Sequence, residues 1–158
     1  MNRTDLSLRV RSLTRDLTNG FFREVDIVNY LNEGVDRIGQ RIPQLSGMTY
    51  LTEPLQEVDL LPRQWQHLLA VYCSARLCTQ DERHYQAGVF MNEFETKLDE
   101  LINKIDGGEI VITDAEGNVV EDTRKNEYVF DNYFANKNGI VKRSKRDPDY
   151  ETVFGDDE

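Results

Sequence analysis

Residues 24–42 read Glu-Val-Asp-Ile-Val-Asn-Tyr-Leu-Asn-Glu-Gly-Val-Asp-Arg-Ile-Gly-Gln-Arg-Ile. This is the clearest helical pattern in the chain, because its apolar side chains recur at alternating spacings of three and four: Val28, Leu31, Val35, Ile38 and Ile42. The spacing lines them up on one side of a 3.6-residue helix and predicts an amphipathic helix from about 24 to 41. Pro43 ends it, since the residue before a proline is pushed out of helical backbone angles.

A shorter pattern of the same period precedes this helix. Thr4 or Asp5 is the expected N-cap, since a short side-chain oxygen can accept a backbone N–H, and Asn19-Gly20 is the expected end. The predicted inward side chains are Leu6, Val10, Leu13 and Leu17. After the second helix, residues 44–61 hold no helical period and predict a small extended insert around Pro54, with a hairpin as one arrangement.

Two longer helices follow the insert. Pro62 is expected to open the third in its first turn, where a missing N–H costs nothing, and that helix reaches about Asp81. The fourth covers roughly 82–105 and ends in the glycine cap of 106–108. The predicted inward side chains are Leu68, Leu69, Tyr72, Ala75 and Cys78 or Leu77, then Val89 or Phe90, Phe94, Leu98, Leu101 and Ile105. The pattern predicts a mainly α fold, an antiparallel four-helix bundle.

Two β-branched runs come next, at 109–113 and 119–121. Around a turn of the Asp-x-x-Gly type they predict a β-hairpin with a positive φ at Gly117. A two-stranded hairpin is marginal in water, so it should need another surface. The expected organisation is a helical core, a hairpin and an extended C-terminal arm, over residues 1–106, 107–122 and 123–158.

Charge and composition exclude several classes of protein. The chain has 158 residues, 39% of them hydrophobic, and a formal net charge of −10, which argues against binding nucleic acid by neutralising phosphates. No run approaches about 18 consecutive apolar residues, so no membrane span is expected. The N-terminus lacks the apolar core of a signal peptide. Two cysteines do not make a disulfide framework, and we expect synthesis in a reducing cytoplasm.

The residue types that serve catalysis and metal binding do not form a recognisable set. His67 and His84 have no partner at metal-ligand spacing. Cys73 and Cys78 are five residues apart, unlike zinc or redox pairs, and are expected in the core. We therefore predict no enzyme activity, no cofactor and no metal site.

The turn of the hairpin offers three oxygen-bearing side chains: Asp114, Glu116 and Asn118. They resemble the start of a calcium loop. The glycine stands at the fourth position rather than the sixth, however, and no bidentate glutamate follows in place. A hairpin turn is therefore the favoured interpretation.

The C-terminal arm carries aromatic side chains in a segment too polar to form its own core: Tyr128, Phe130, Tyr133, Phe134, Tyr150 and Phe154. Rings of this kind are enriched at interface hot spots, so we expect them to be buried against a partner or, alternatively, against the chain's own helices. The one basic cluster is Lys142, Arg143, Lys145 and Arg146. Because acidic residues follow it directly, docking on another protein, a phosphate contact and a solvated tail all stay open.

Three short motifs occur in a characteristic order. A Tyr-Leu-Asn-Glu run lies within residues 28–34, Leu61-Pro62 precedes the third helix, and a Tyr-x-x-Ala-Arg stretch covers residues 72–76. Over residues 4–106 this order and spacing resemble the head-to-tail adaptor (connector) proteins of tailed bacteriophages. The chain departs from that family at Gly34 and Cys73, where alanine is common.

The resemblance implies a ring, commonly of twelve copies, under the portal of a filled capsid. Its partners would be the portal protein, further copies of the chain and a downstream tail or nozzle protein. It would lie in the neck of the virion after synthesis in the bacterial host. The aromatic and basic residues of the arm would dock on the portal or a neighbouring subunit.

In such a ring the genome would pass through the channel without specific binding. Twelve copies would carry about −120, and an acidic wall repels the DNA backbone. The candidate channel-facing residues are Glu93, Glu95, Asp99 and Glu100, which also fit a solvated face or a subunit contact. The alternative functions are another neck or tail-completion ring, and a small cytoplasmic regulatory protein that binds one partner.

Overall fold

A computed structural model describes residues 1–16, 20–114 and 116–120 of the chain. The chain divides into two units after Asp122, and all described residues lie in the first. The predicted C-terminal arm, with its aromatic and basic docking residues, lies outside the described residues.

The described part is mainly helical, as predicted. Its four α-helices are α1 (Arg3–Thr14), α2 (Glu24–Arg41), α3 (His67–Gln80) and α4 (His84–Asp106). Two short 3-10 helices, Pro43–Leu45 and Arg63–Trp65, flank the insert between α2 and α3. No β-strand is assigned among these residues.

Helix α1 differs from its predicted bounds at both ends. Its N-cap is Asn2, whose side chain accepts the Asp5 N–H at 2.8 Å while Asp5 accepts the Asn2 N–H, so the expected cap at Thr4 or Asp5 was wrong. The helix ends at Thr14 rather than at Asn19-Gly20, because Arg15 takes a left-handed conformation with φ of 62°.

Helix α2 has the predicted bounds, and its core-facing side chains are Ile27, Leu31, Gly34, Val35 and Ile38. Val28, which the spacing placed inward, is half-buried, while Ile27 is fully buried. The helix packs against α3, α1 and the 3-10 helix Pro43–Leu45, so its buried face is broader than one stripe and is shifted by one position near the N-terminus.

The insert is tied to the start of the chain. The Arg3 N–H donates to the Gln56 carbonyl at 2.9 Å, and an isolated antiparallel bridge joins Asn2 to Glu57. The hairpin expected as one arrangement of residues 44–61 is not found, because the backbone of residues 54–58 bonds to the N-terminus. These bonds satisfy backbone groups that a long loop would otherwise leave unpaired.

Helix α3 is the central element and packs against α1, α2 and α4. Pro62 precedes a 3-10 turn rather than the first α-helical turn, so α3 begins at His67, later than predicted. Ten of its residues are buried, including both cysteines, which confirms the prediction that Cys73 and Cys78 are core residues.

Helix α4 ends at the predicted glycine cap, with Gly107 as C-cap and Gly108 at φ of 74°. In the segment that follows, the described residues form one isolated bridge, between Thr113 and Val119. The Asp114 carboxylate accepts the N–H of Asn118 at 2.7 Å, and Gly117 has φ of 85°, so the predicted turn is confirmed.

Candidate interaction surfaces

The motif residues of α2 and α3 meet in one network at the seam between these helices. Glu33 accepts a hydrogen bond from the Tyr72 hydroxyl at 2.9 Å and another from Arg76 Nε at 3.2 Å. The Arg76 guanidinium also lies 5.5 Å from the centroid of the Tyr30 ring. The Tyr-Leu-Asn-Glu run and the Tyr-x-x-Ala-Arg stretch are therefore structural partners of each other.

Asn32, another residue of the Tyr-Leu-Asn-Glu run, bonds to the insert. It accepts the Leu51 N–H through Oδ1 at 2.7 Å.

Tyr72 also contacts α4. Its ring packs on Phe94 with ring centroids 5.0 Å apart. Burial, with the hydrogen bond to Glu33, raises the pKa of Tyr72 to about 12. Tyr72 therefore links α3 to α2 through Glu33 and to α4 through Phe94, while Asn32 links α2 to the insert.

An open cleft of about 350 Å³ lies over this seam and is lined by Glu33, Asp36, Arg37, Gln40, Tyr72, Met91 and Glu95. Arg37 and Arg41 of α2 both donate to Glu95 of α4 at 3.1 Å. Arg41 also donates to Asp99 at 2.7 Å. The α4 side of the cleft is therefore bounded by ion pairs, whereas Asp36 on the α2 side accepts a hydrogen bond from the Tyr50 hydroxyl at 2.7 Å.

The structure separates the four carboxylates proposed to face a channel. Glu95 and Asp99 pair with arginines of α2, and Glu100 pairs with Lys97 at 2.8 Å. Glu93 is exposed and has no ion pair among the described residues. The four side chains thus do not act as one uncompensated acidic stripe within a single copy.

A buried ion cluster holds the connection between α1 and α2. The Asp16 carboxylate accepts the N–H groups of Gly20, Phe21 and Phe22, each at 3.1 Å, and the guanidinium of Arg11 at 2.8 Å. Burial raises the pKa of Asp16, but the backbone donors and Arg11 outweigh it and hold that pKa below its usual value.

Arg11 completes the cluster by donating to Glu24 at 3.0 Å. The sequence patterns do not reveal this cluster, because the three charged residues share no short motif. The only local signal is the pair Asn19-Gly20, which begins three residues after Asp16 and is typical of a turn.

The histidines lie at helix starts, and no group of three metal-ligating residues occurs in the part of the chain that is described. His67 Nδ1 lies 2.9 Å from the Gln64 carbonyl, within its own turn. None of the helices described is long and apolar enough to cross a membrane.

Comparisons of the chain with protein-family models, with curated proteins and with solved structures find no match in any of the three.

Proposed function

We propose that this chain is a structural virion protein: a head-to-tail adaptor that forms a ring under the portal, extends the DNA channel and offers a surface to the tail. The observation that carries the proposal is the seam between α2 and α3. The two helical motifs on which the family resemblance rests contact each other directly, through Glu33, Tyr72 and Arg76. Residues that are distant in sequence therefore form one structural unit.

The direction of the helices supports an antiparallel four-helix bundle for the wall of such a ring. Arg37 pairs with Glu95 and Arg41 with Asp99, so the contacts advance together along α2 and α4. Two helices run parallel in this way when one antiparallel helix, here α3, lies between them. A rigid helical wall with paired internal charges suits a scaffold. The segment 107–122 would add a β-hairpin to it.

The net charge supports passage of DNA rather than its capture. A protein that grips DNA needs unpaired basic groups facing the phosphates, whereas this chain is acidic at −10. Repeated around a ring, that charge repels the backbone of the genome and lets it slide.

The C-terminal arm would supply the contact to the portal. Its aromatic rings and its basic cluster at residues 142–146 have the composition of a segment that is buried against a partner on docking. The portal and the neighbouring subunit are the surfaces we propose for it.

Negative-stain imaging of the protein alone and mixed with portal rings from its own source tests the proposal. We expect a ring with a central channel seated on the portal. Free monomers that never decorate portals would contradict the adaptor function and favour a small partner-binding helical protein.

Deletion of residues 123–158 tests the arm separately. The truncated protein should keep the helical circular dichroism of residues 1–122 and lose portal binding. A matched control deletes only the last four residues, 155–158, which contain no aromatic or basic side chain. Normal portal binding by the truncated protein would refute docking through the arm.

A further inference from the structure

The outer face of α1 combines an exposed apolar side chain with an unpaired positive charge. Its exposed residues are Thr4, Asp5, Leu8, Arg9 and Ser12. Leu8 is 61% exposed, and Arg9 beside it forms no ion pair within the described part of the chain.

The outer face of α4 has the opposite charge and the same kind of apolar exposure. Tyr85 is 86% exposed and Val89 is 49% exposed, one helical turn apart on the side away from the core. Glu93 continues this row by one more turn and is the α4 glutamate that pairs with no basic residue among those described. The inner carboxylates Glu95 and Asp99 are already neutralised by α2.

We propose that the outer face of α1 in one copy packs against the outer face of α4 in the next copy. The contact would bury Leu8 against Tyr85 and Val89 and would bring Arg9 to Glu93. The inference rests on the proposed ring and names the surfaces that build it.

Charge favours the pairing of the two faces. Arg9 on α1 and Glu93 on α4 have no ion pair among the described residues, whereas Lys97, the next residue of the α4 row, is already paired with Glu100. An α1-to-α4 contact would give Arg9 and Glu93 each an opposite charge. An α1-to-α4 contact joins two different surfaces, and such a heterologous contact repeats from copy to copy until the rotation closes a ring.

Other exposed apolar residues lack this complementary setting. Tyr50 is 53% exposed, but its hydroxyl already donates to Asp36 of the same copy at 2.7 Å. Leu55 is 78% exposed in the insert and belongs to neither helical face, although it lies next to Pro54, whose carbonyl accepts the Thr4 hydroxyl of α1. Leu55 therefore serves as the control position.

Disulfide trapping between copies tests the contact. Leu8→Cys protein mixed with Val89→Cys protein should form a mixed dimer under mild oxidation, whereas each variant alone should not. The double variant L8C/V89C should form a ladder of multimers. The native Cys73 and Cys78 are fully buried and do not compete. The control mixture pairs Leu55→Cys with Val89→Cys.

Charge reversal gives an independent readout. Arg9→Glu or Glu93→Arg alone should slow the L8C/V89C cross-linking by about fivefold, and the two reversals combined in one chain should restore it. All these positions lie outside the core, so thermal melting should confirm an unchanged fold. An equal yield from the Leu55 control, or a combined reversal that does not restore cross-linking, would overturn the proposal.

The two proposals can fail separately. Rings that decorate portals without L8C/V89C cross-linking would leave the adaptor function standing and refute this interface. Specific cross-linking without portal binding would support the interface and contradict the adaptor function.

Discussion

The Tyr72 hydroxyl of α3 donates a hydrogen bond to the Glu33 carboxylate of α2 at 2.9 Å, so one phenol joins the two motifs that define the chain. The same ring packs on Phe94, and Glu33 also holds Arg76. Tyr72 is 6% exposed and contacts residues of α2 and α4 from its place in α3, so its removal should lower the stability of the whole helical unit.

Tyr72→Phe removes one hydrogen bond and keeps the ring. The free energy of unfolding should fall by about 1 kcal/mol, because Glu33 keeps its partner Arg76. Tyr72→Ala should cost about 3–5 kcal/mol through the cavity that it leaves. Urea denaturation followed by fluorescence of the single, buried Trp65 measures both. Tyr85→Phe, at an exposed position, is the control and should change nothing.

Alkaline titration should identify Tyr72 as a late-ionising tyrosine. Its pKa of about 12 in the folded protein lies above the usual value of 10.0. The stabilisation is therefore present below pH 10 and is lost as the pH rises towards 12. Ultraviolet absorbance of tyrosinate should lose a high-pH step in Tyr72→Phe, and loss of a step near pH 10 instead would contradict the assignment.

Asp16→Asn should strongly destabilise the protein, because it leaves Arg11 short of its buried counter-charge. The side chains are 2% and 9% exposed, respectively, and breaking such a pair costs about 3–5 kcal/mol. Asp26→Asn is the matched control, since its partner Arg23 is 77% exposed and the pair should contribute less than about 1 kcal/mol. Chemical denaturation of the two variants measures the difference.

The same carboxylate should produce acid sensitivity. The pKa of Asp16 is held below 3.8 in the folded state, so its stabilisation is full above that value and is lost as the pH falls through the folded pKa. The wild-type protein should therefore lose more stability in acid than Asp16→Asn does. Parallel acid-denaturation curves for the two proteins would contradict this role.

Arg41→Gln should lower the free energy of unfolding by less than about 1 kcal/mol. The arginine and Asp99 are 37% and 60% exposed, so solvent screens the pair. The difference from wild type should shrink as salt is added, because the Debye length shortens. Thermal melts at low and high ionic strength measure it, and a loss independent of salt would show that Arg41 acts through packing.

Two helical glycines should respond in opposite directions. A Cβ at Gly34 would lie 3.2 Å from Tyr72 Cδ1 and 3.3 Å from Leu69 Cδ2, so Gly34→Val should cost about 1–3 kcal/mol. A Cβ at Gly88 would meet nothing within 4 Å, so Gly88→Ala should raise stability by about 0.5–1 kcal/mol. Equal effects at both sites in a melting experiment would refute the close approach at Gly34.

Local rules account for the parts of the fold that were predicted correctly. The alternating three and four spacing of α2, the cap at Gly107 and the positive φ at Gly117 each depend on a few neighbouring residues. Cys73 and Cys78 were predicted to be core residues because their five-residue separation is unlike that of zinc or redox pairs and because a free cysteine is a small apolar side chain.

The sequence by itself therefore determined the mainly helical class, the bounds of α2 and the turn that begins at Asp114, since backbone propensity and periodicity depend on residues only a few positions apart. Tertiary structure alone decided that α1 stops at Thr14 and that Asp16 is buried with Arg11. It also decided that Glu95 and Asp99 face the arginines of α2. Such partners lie far apart in the chain, and only the packing of one helix on another brings their charges within hydrogen-bonding distance.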